Sequence, residues 1–221
     1  MLRFLRKAFD NVDRALLEKC LRDVGLPLSF ILLFVGMYSG TKSMVRVAGS
    51  GFSSLFDLKK GVKQGSAMSP RLFGLFLNDM VEFLEEKWAP KLCLGKINFS
   101  VLLFADDTAL VAKSARELQM LLNLIEEYLQ MKKIQLNVLK TKVVVFSKRN
   151  EKIDNIFVFG GQQLEVVEKI MYLGYIFQSN GGWSSHIKEV LNRGRAATFS
   201  LFRNKISGIK NLSLHKRFFF I

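Results

Sequence analysis

The stretch Val101-Leu102-Leu103-Phe104-Ala105-Asp106-Asp107-Thr108-Ala109-Leu110-Val111-Ala112 constrains this chain more than any other. Two apolar arms flank two adjacent carboxylates. Aspartate is depleted in strands, and neighbouring anions repel unless a cation lies between them. The pair is therefore expected in a tight turn joining two strands. Hairpin turns favour aspartate for local reasons, so a plain turn accounts for the pair equally well. Arms of Val, Leu, Phe and Ala predict a buried hairpin that holds the turn rigidly, and two hard oxygen ligands on a stiff support suit magnesium in phosphoryl transfer.

Three further stretches accompany it. Upstream stands Gly61-Val62-Lys63-Gln64-Gly65-Ser66-Ala67-Met68-Ser69-Pro70-Arg71-Leu72-Phe73; downstream lie Leu136-Asn137-Val138-Leu139-Lys140-Thr141-Lys142 and Tyr172-Leu173-Gly174-Tyr175-Ile176-Phe177. With Phe104-Ala105-Asp106-Asp107 they form four ordered motifs, and together they resemble the reverse transcriptase of non-LTR (LINE-type) retrotransposons. The resemblance runs from the region of Lys7 to that of Phe202.

That resemblance implies an α+β fold, a polymerase palm in which a sheet carries helices packed on one face. Partial fingers fall between residues 11 and 70, and the start of a truncated thumb follows Asn180, giving domains 1–180 and 181–221. It also implies RNA-directed DNA synthesis on an RNA template and a DNA primer by two-metal nucleotidyl transfer with Mg2+. Asp106 and Asp107 take the catalytic and metal-ligating roles. Lys140 or Lys142 protonates or pairs with the pyrophosphate leaving group, a solvated lysine face being the alternative. Phe9 matches the aromatic that excludes a ribose 2′-hydroxyl, or else is a core phenylalanine. Gln64 and Gly65 match the loop that contacts template and incoming nucleotide, with a helix-entry loop as the competing account. Ser66 stands where Cys or Asp is frequent in relatives. Tyr172-Leu173-Gly174 resembles the primer-gripping hairpin, although a core strand would read similarly.

One departure bears on all of this. In the family a further metal-binding Asp stands six residues before the Asp of Lys-Ala-Phe-Asp; here that sequence is Lys7-Ala8-Phe9-Asp10, and the position is Phe4. Phenylalanine ligates no metal. Asp10 is expected to cap a helix rather than to substitute. A truncated or decayed copy with impaired catalysis is the resulting expectation, or a catalytically inactive nucleic-acid-binding remnant.

Composition points to a polyanionic partner, nucleic acid first and a membrane surface second. Lys and Arg number 33 against 19 Asp and Glu, a net charge of +14, and 49% of the 221 residues are apolar, enough for a real core. The greasy run Leu28 to Met37 is too short to span a bilayer and reads as a buried helix. No apolar signal region follows the first residues, and Cys20 and Cys93 have neither disulfide nor metal spacing, so an intracellular protein is expected.

In chain order, helices are predicted over 11–23, capped by Asn11 or Asp13 and stopped by Gly25 and Pro27, and from Leu28. A hairpin is predicted over 43–58, and one helix with a wide apolar face from Pro70 through Leu84. A further helix over 114–132 is capped by Ser114 and Glu117. Strands at 143–146, 156–159 and 164–167 precede a basic helix over 183–205. Lys188, Arg193, Arg195, Arg203 and Lys205 on that helix suit phosphate contacts, because no acidic residue follows Glu189 to compensate them. His186 and His215 receive no role. Phe218-Phe219-Phe220-Ile221 reads as the broken start of a thumb element.

Overall fold

The computed structural model describes residues 9–49, 51–104, 107–147 and 156–203. The chain divides into two compact units. The first comprises Met1–Val143 and Ile153–Val166, the second Val144–Lys152 and Val167–Ile221.

In the first unit α1 (Arg14–Asp23) begins where Asp13 accepts from the backbone N–H groups of Ala15 and Leu16, and so satisfies two of the donors a helix start leaves open. It ends at Gly25 (φ +81°), with Leu26 N–H donating to Leu21 O and Gly25 N–H to Arg22 O, the paired bonds of a left-handed stop. Leu17 and Leu21 are fully buried, and α1 packs on α2 (Leu28–Tyr38). The expected burial of that greasy helix is only half realised. Ile31, Phe34 and Tyr38 are buried, whereas Leu28, Leu32 and Leu33 are each more than half exposed. A uniformly apolar helix has no moment to orient it, so its neighbours alone choose the buried stripe.

The predicted hairpin forms as interrupted pairs. β1 (Lys42–Ser43), β2 (Arg46–Val47), β3 (Gly51–Phe52) and β4 (Phe56–Asp57) nest antiparallel, β1 on β4 and β2 on β3. The loop after it leads to α3 (Ser69–Phe76), with Pro70 in its first turn, and α3 packs on α1. The single helix expected through Leu84 is instead two, because the chain breaks at Leu77–Asp79 and restarts as α4 (Met80–Glu86). Beside the break the Asp79 carboxylate accepts from Tyr128 Oη at 2.6 Å and from Lys132 Nζ at 2.7 Å.

A small hairpin, β5 (Leu92–Leu94) with β6 (Ile97–Phe99), precedes β7 (Val101–Phe104) and β8 (Asp107–Leu110). α5 (Ala115–Met131) follows. Its cap is the expected one, with Ser114 Oγ accepting from Glu117 N–H; Glu117 reaches back to Lys113 N–H. Leu121, Leu122, Ile125, Tyr128 and Leu129 turn one apolar face inward. After a 3-10 turn at Val138–Lys140 come β9 (Lys142–Val143), β10 (Phe157–Phe159) and β11 (Gln162–Val166). These make a three-stranded sheet in the order β10, β11, β9, and α5 packs on β10. The strand expected to run to Phe146 stops at Val143.

The second unit holds β12 (Lys169–Tyr172) and β13 (Tyr175–Gln178), joined by the two-residue turn Leu173-Gly174, and α6 (Ser184–Arg203). Both turn residues have positive φ, +47° and +84°, the twist a two-residue hairpin demands. Gln178, buried at the end of β13, caps α6 from outside: its Oε1 accepts from Ser185 N–H at 2.8 Å and from Ser184 Oγ. His186 gains neighbours its spacing did not suggest. Its ring lies 4.9 Å from that of Tyr175, and its Nδ1 accepts from Ile176 N–H. Lys205 and Phe218 to Ile221 lie outside the described residues.

Helices and short strands together make a mixed α and β fold. The single sheet with helices on one face is not found among the described residues. Their strands form six separate ladders of two or three strands. No helix among the described residues is long and apolar enough to cross a membrane.

Candidate functional site

The hairpin carrying the adjacent carboxylates is present, with two differences from expectation. In its register Phe104 faces Asp107 and Val101 faces Leu110, so Asp107 opens a strand and stands in the ladder rather than in the turn. A two-residue connection puts the flanking residues into the first cross-strand pair. The hairpin is also not buried throughout. Thr108, Ala109 and Leu110 of β8 are, whereas Phe104 of β7 is 61% exposed and Leu102 and Leu103 are near 40%. Period-two alternation would have shown which face of β7 meets water; Val101 to Phe104 are apolar at every position, which hides it. Asp106 and Phe4 lie outside the described residues. Among those described, no three His, Cys, Asp or Glu side chains gather to hold a metal. Asp107 alone of the predicted ligands is in view, so the described residues do not by themselves make up a magnesium site.

The tightest assembly of predicted residues lies in the first unit, between the turn at Phe9-Asp10 and the loop Gly61–Gly65. Gly61 N–H donates to Val12 O and Val62 N–H to Phe9 O, both at 2.8 Å, lacing together segments some fifty residues apart. Gly61 (φ +85°) is required twice over: its backbone is left-handed, and a Cβ there would sit 2.7 Å from Asp10 O. The Phe9 ring packs 5.1 Å from that of Phe73. Asp10 does not cap a helix, that role being Asp13's. Its Oδ1 accepts from Gln64 Nε2 at 2.9 Å. Gly65 also has positive φ (+81°), and nothing within 4 Å would meet a Cβ there, so its glycine serves the loop's path rather than its packing.

Arg14 had no place among the predicted residues and holds this loop from behind. Nε donates to Gly61 O at 2.9 Å, Nη2 to Lys60 O at 3.2 Å, and Nη1 to Tyr38 O, Thr41 Oγ1 and Leu58 O at 2.9, 3.0 and 2.6 Å. The guanidinium also lies 5.0 Å from the centre of the Tyr38 ring. On the helix surface pattern it reads as one more solvated cation, and only its three-dimensional neighbours reveal the clamp. Ser69 adds a 2.6 Å bond to Lys63 O, and Tyr38 Oη accepts from Lys63 N–H. The exposed run Lys59-Lys60 together with Lys63 makes the rim of the loop positive.

Lys140 ends the 3-10 turn that Asn137 caps, and is exposed. Of the basic residues of α6, Lys188 and Arg195 lie seven residues apart, about two helical turns, and so share a face. Lys188 borders a shallow groove of about 380 Å³ with Lys169, Met171, Ser185 and Asn192. Arg193 is not uncompensated as expected: its Nε donates to Glu189 at 2.8 Å and Nη2 reaches Met171 Sδ. An acid four residues earlier compensates as well as one that follows. Arg203 closes the helix.

The family model described as reverse transcriptase (RNA-dependent DNA polymerase) matches residues 5–177. The chain belongs to that family. Among curated relatives, it is 29% identical over 80% of its length to the "Retrovirus-related Pol polyprotein from type-1 retrotransposable element R2" of Nasonia vitripennis. It is 33% identical over 59% of its length to the type-2 element R2DM polyprotein of Drosophila melanogaster, and 24% identical over 80% to a type-1 R2 polyprotein of Popillia japonica. These matches span 18%, 12% and 26% of those relatives. They are non-LTR retrotransposon proteins, the type the four motifs resemble.

Proposed function

We propose that this chain carries palm and fingers residues of an RNA-directed DNA polymerase over 1–180, followed by thumb residues over 181–221. The observation that carries the reading is the lacing of Phe9-Asp10 to Gly61–Gly65, which sets an aromatic ring and an amide side chain beside a lysine-rimmed loop. Gln64 and Gly65 meet template and nucleotide, Phe9 meets the sugar, and Lys140 meets the leaving group. Asp106 and Asp107 are the residues that would hold Mg2+. Lys188, Arg195 and Arg203 contact duplex phosphates, Arg193 less so because Glu189 holds it. RNA template and DNA primer are the partners, met inside the cell.

Phe4 at the family's remaining ligand position leaves the carboxylate set incomplete, so polymerisation is slowed by several powers of ten, on the order of several kcal/mol of lost transition-state stabilisation. The second reading, a nucleic-acid-binding remnant without synthesis, rests on the same residue.

Magnesium-dependent primer extension on an RNA template separates them, comparing the native chain, Phe4→Asp and Asp106→Ala with Asp107→Ala. Extension by Phe4→Asp alone supports an intact palm lacking one carboxylate. Extension by the native chain overturns the role given to Phe4. Salt-sensitive binding with no extension by any variant favours the remnant.

A further inference from the structure

Asp10 and Gln64 stand 54 positions apart in sequence and 2.9 Å apart in space. An amide side chain has two faces of opposite character, a carbonyl that accepts and an NH2 that donates, and nothing intrinsic decides which way it points. Here the partner decides. A carboxylate has no proton to give, so Gln64 must turn Nε2 toward Asp10 Oδ1. Its Oε1 and its second N–H take no part in that bond, and Gln64 is exposed. The backbone leaves little freedom to escape this arrangement. The Gly61 and Val62 bonds to Val12 and Phe9 hold the two segments in register, and Arg14 anchors Lys60 and Gly61 from the other side.

We propose that Asp10 is a positioning residue that sets the hydrogen-bonding face Gln64 presents to the template base or incoming nucleotide. This rests on the role given to Gln64 above. The inference explains what an acidic residue does beside a site meant for polyanions. It does not touch the substrate; it consumes one donor of Gln64, so that what remains is a single acceptor beside a single donor. A nucleobase edge that pairs a donor with an acceptor matches that arrangement, whereas two adjacent acceptors do not.

Three substitutions of Asp10 separate orientation from bulk. Asp10→Leu removes the acceptor, Asp10→Asn keeps one, and Asp10→Lys offers a donor that turns the carboxamide round. The first measurement needs no activity: the side-chain amide correlation spectrum of the isotope-labelled full chain, with the Gln64 pair assigned by its loss in Gln64→Ala. Its signal is expected to move in Asp10→Leu and Asp10→Lys and to move less in Asp10→Asn, which keeps an acceptor. The second uses a labelled RNA template and DNA primer duplex with Mg2+, and reads the ratio of complex stabilisation by the matched against a mismatched next deoxynucleotide. One hydrogen bond's worth of orientation makes that ratio fall about fivefold in Asp10→Leu and in Gln64→Ala, and no further in the double variant. Asp10→Asn, whose amide offers the acceptor but can also turn round, is expected to recover it in part, which simple loss of folding in Asp10→Leu would not mimic.

A Gln64 signal unmoved by Asp10→Leu overturns the proposal. So do additive effects of Asp10→Leu and Gln64→Ala on the ratio. If the amide responds as expected but the native chain binds no duplex, the Asp10–Gln64 assignment stands and the polymerase reading beneath it fails.

Discussion

The Arg14 guanidinium donates through Nε to the Gly61 carbonyl oxygen at 2.9 Å, while Nη1 takes the Leu58 carbonyl at 2.6 Å. One side chain on the first turn of α1 thus ties down the end of the β1–β4 hairpin and the start of the Gly61–Gly65 loop. Arg14→Ala leaves four carbonyls without their charged donor and should cost about 2–4 kcal/mol, read as a lower denaturant midpoint at unchanged slope. Arg14→Lys should recover less than half of the loss, because an ammonium cannot reproduce the planar fork. Full recovery by lysine would show that charge alone, and not geometry, anchors the loop.

Asp13 caps α1 and also pairs with Lys133, Oδ2 to Nζ, at 2.8 Å. The hydrogen bond from Lys133 holds its carboxyl below the ordinary aspartate range, with help from the Leu16 and Ala15 amides. A depressed folded value means stability that is present above the unfolded value, about 3.9, and is lost as pH falls through the folded one. Asp13→Asn keeps the cap and loses the pair. Its deficit relative to the native chain, about 1 kcal/mol or less at neutral pH because Lys133 is largely exposed, should vanish below the folded pKa. A deficit independent of pH would point to the cap instead.

Asp79 and Lys132 form the other pair with structural consequence. The Lys132 side chain is only 9% exposed and lies over the Phe76 and Tyr128 rings, with Cys20 Sγ at 3.3 Å. Removing Asp79 strands a buried ammonium, so Asp79→Ala should cost about 2–4 kcal/mol, while Lys132→Met, which replaces the stem and removes the charge, should cost less. The double variant should be milder than the two single costs summed, as chemical denaturation of the four proteins will measure.

Tyr128 carries a pH signature of its own. Burial drives its phenol well above the ordinary tyrosine value of about 10, and the bond to Asp79 adds to the shift. A raised folded value gives stability that is complete below the unfolded value and lost as pH climbs above it. Alkaline unfolding should therefore begin near pH 10, and ultraviolet titration should show one tyrosine ionising only as the chain unfolds. Tyr128→Phe should remove that step, since phenylalanine has no proton to hold.

Gly61→Ala tests the lacing directly. The new Cβ would meet Asp10 O at 2.7 Å in a backbone conformation unfavourable to any L side chain, so a loss of roughly 2 kcal/mol or more is expected by thermal melting. Gly65→Ala, strained at its φ but in open space, should lose about 1 kcal/mol. Equal losses would mean that the close approach to Asp10 carries no weight.

Local chemistry made much of this protein legible from its residues alone. Ser114 with Glu117, Gly25 before Pro27 and the apolar spacing of α1 and α5 act over one or two turns, and the helices begin and end where those signals stand. The motif order was enough to assign the family, because four stretches in register are improbable by chance. What sequence could not decide was every question settled by distant neighbours. Asn11 and Asp13 both offer a cap for α1, and Asp13 takes it; Asp10, expected at a helix start, is bound by Gln64 instead. The helix from Ser69 ends at Phe76 and restarts at Met80, and beside that break Tyr128 and Lys132, some fifty residues on, hold the Asp79 carboxylate. β7 lies exposed and α2 buries a single stripe because uniformly apolar segments carry no periodicity to orient them. Arg14 looks like any surface cation until four carbonyls from three other segments converge on it. Capping and turn energies are set within a few residues, whereas charge pairing and burial depend on which segments meet, and only the folded chain specifies that.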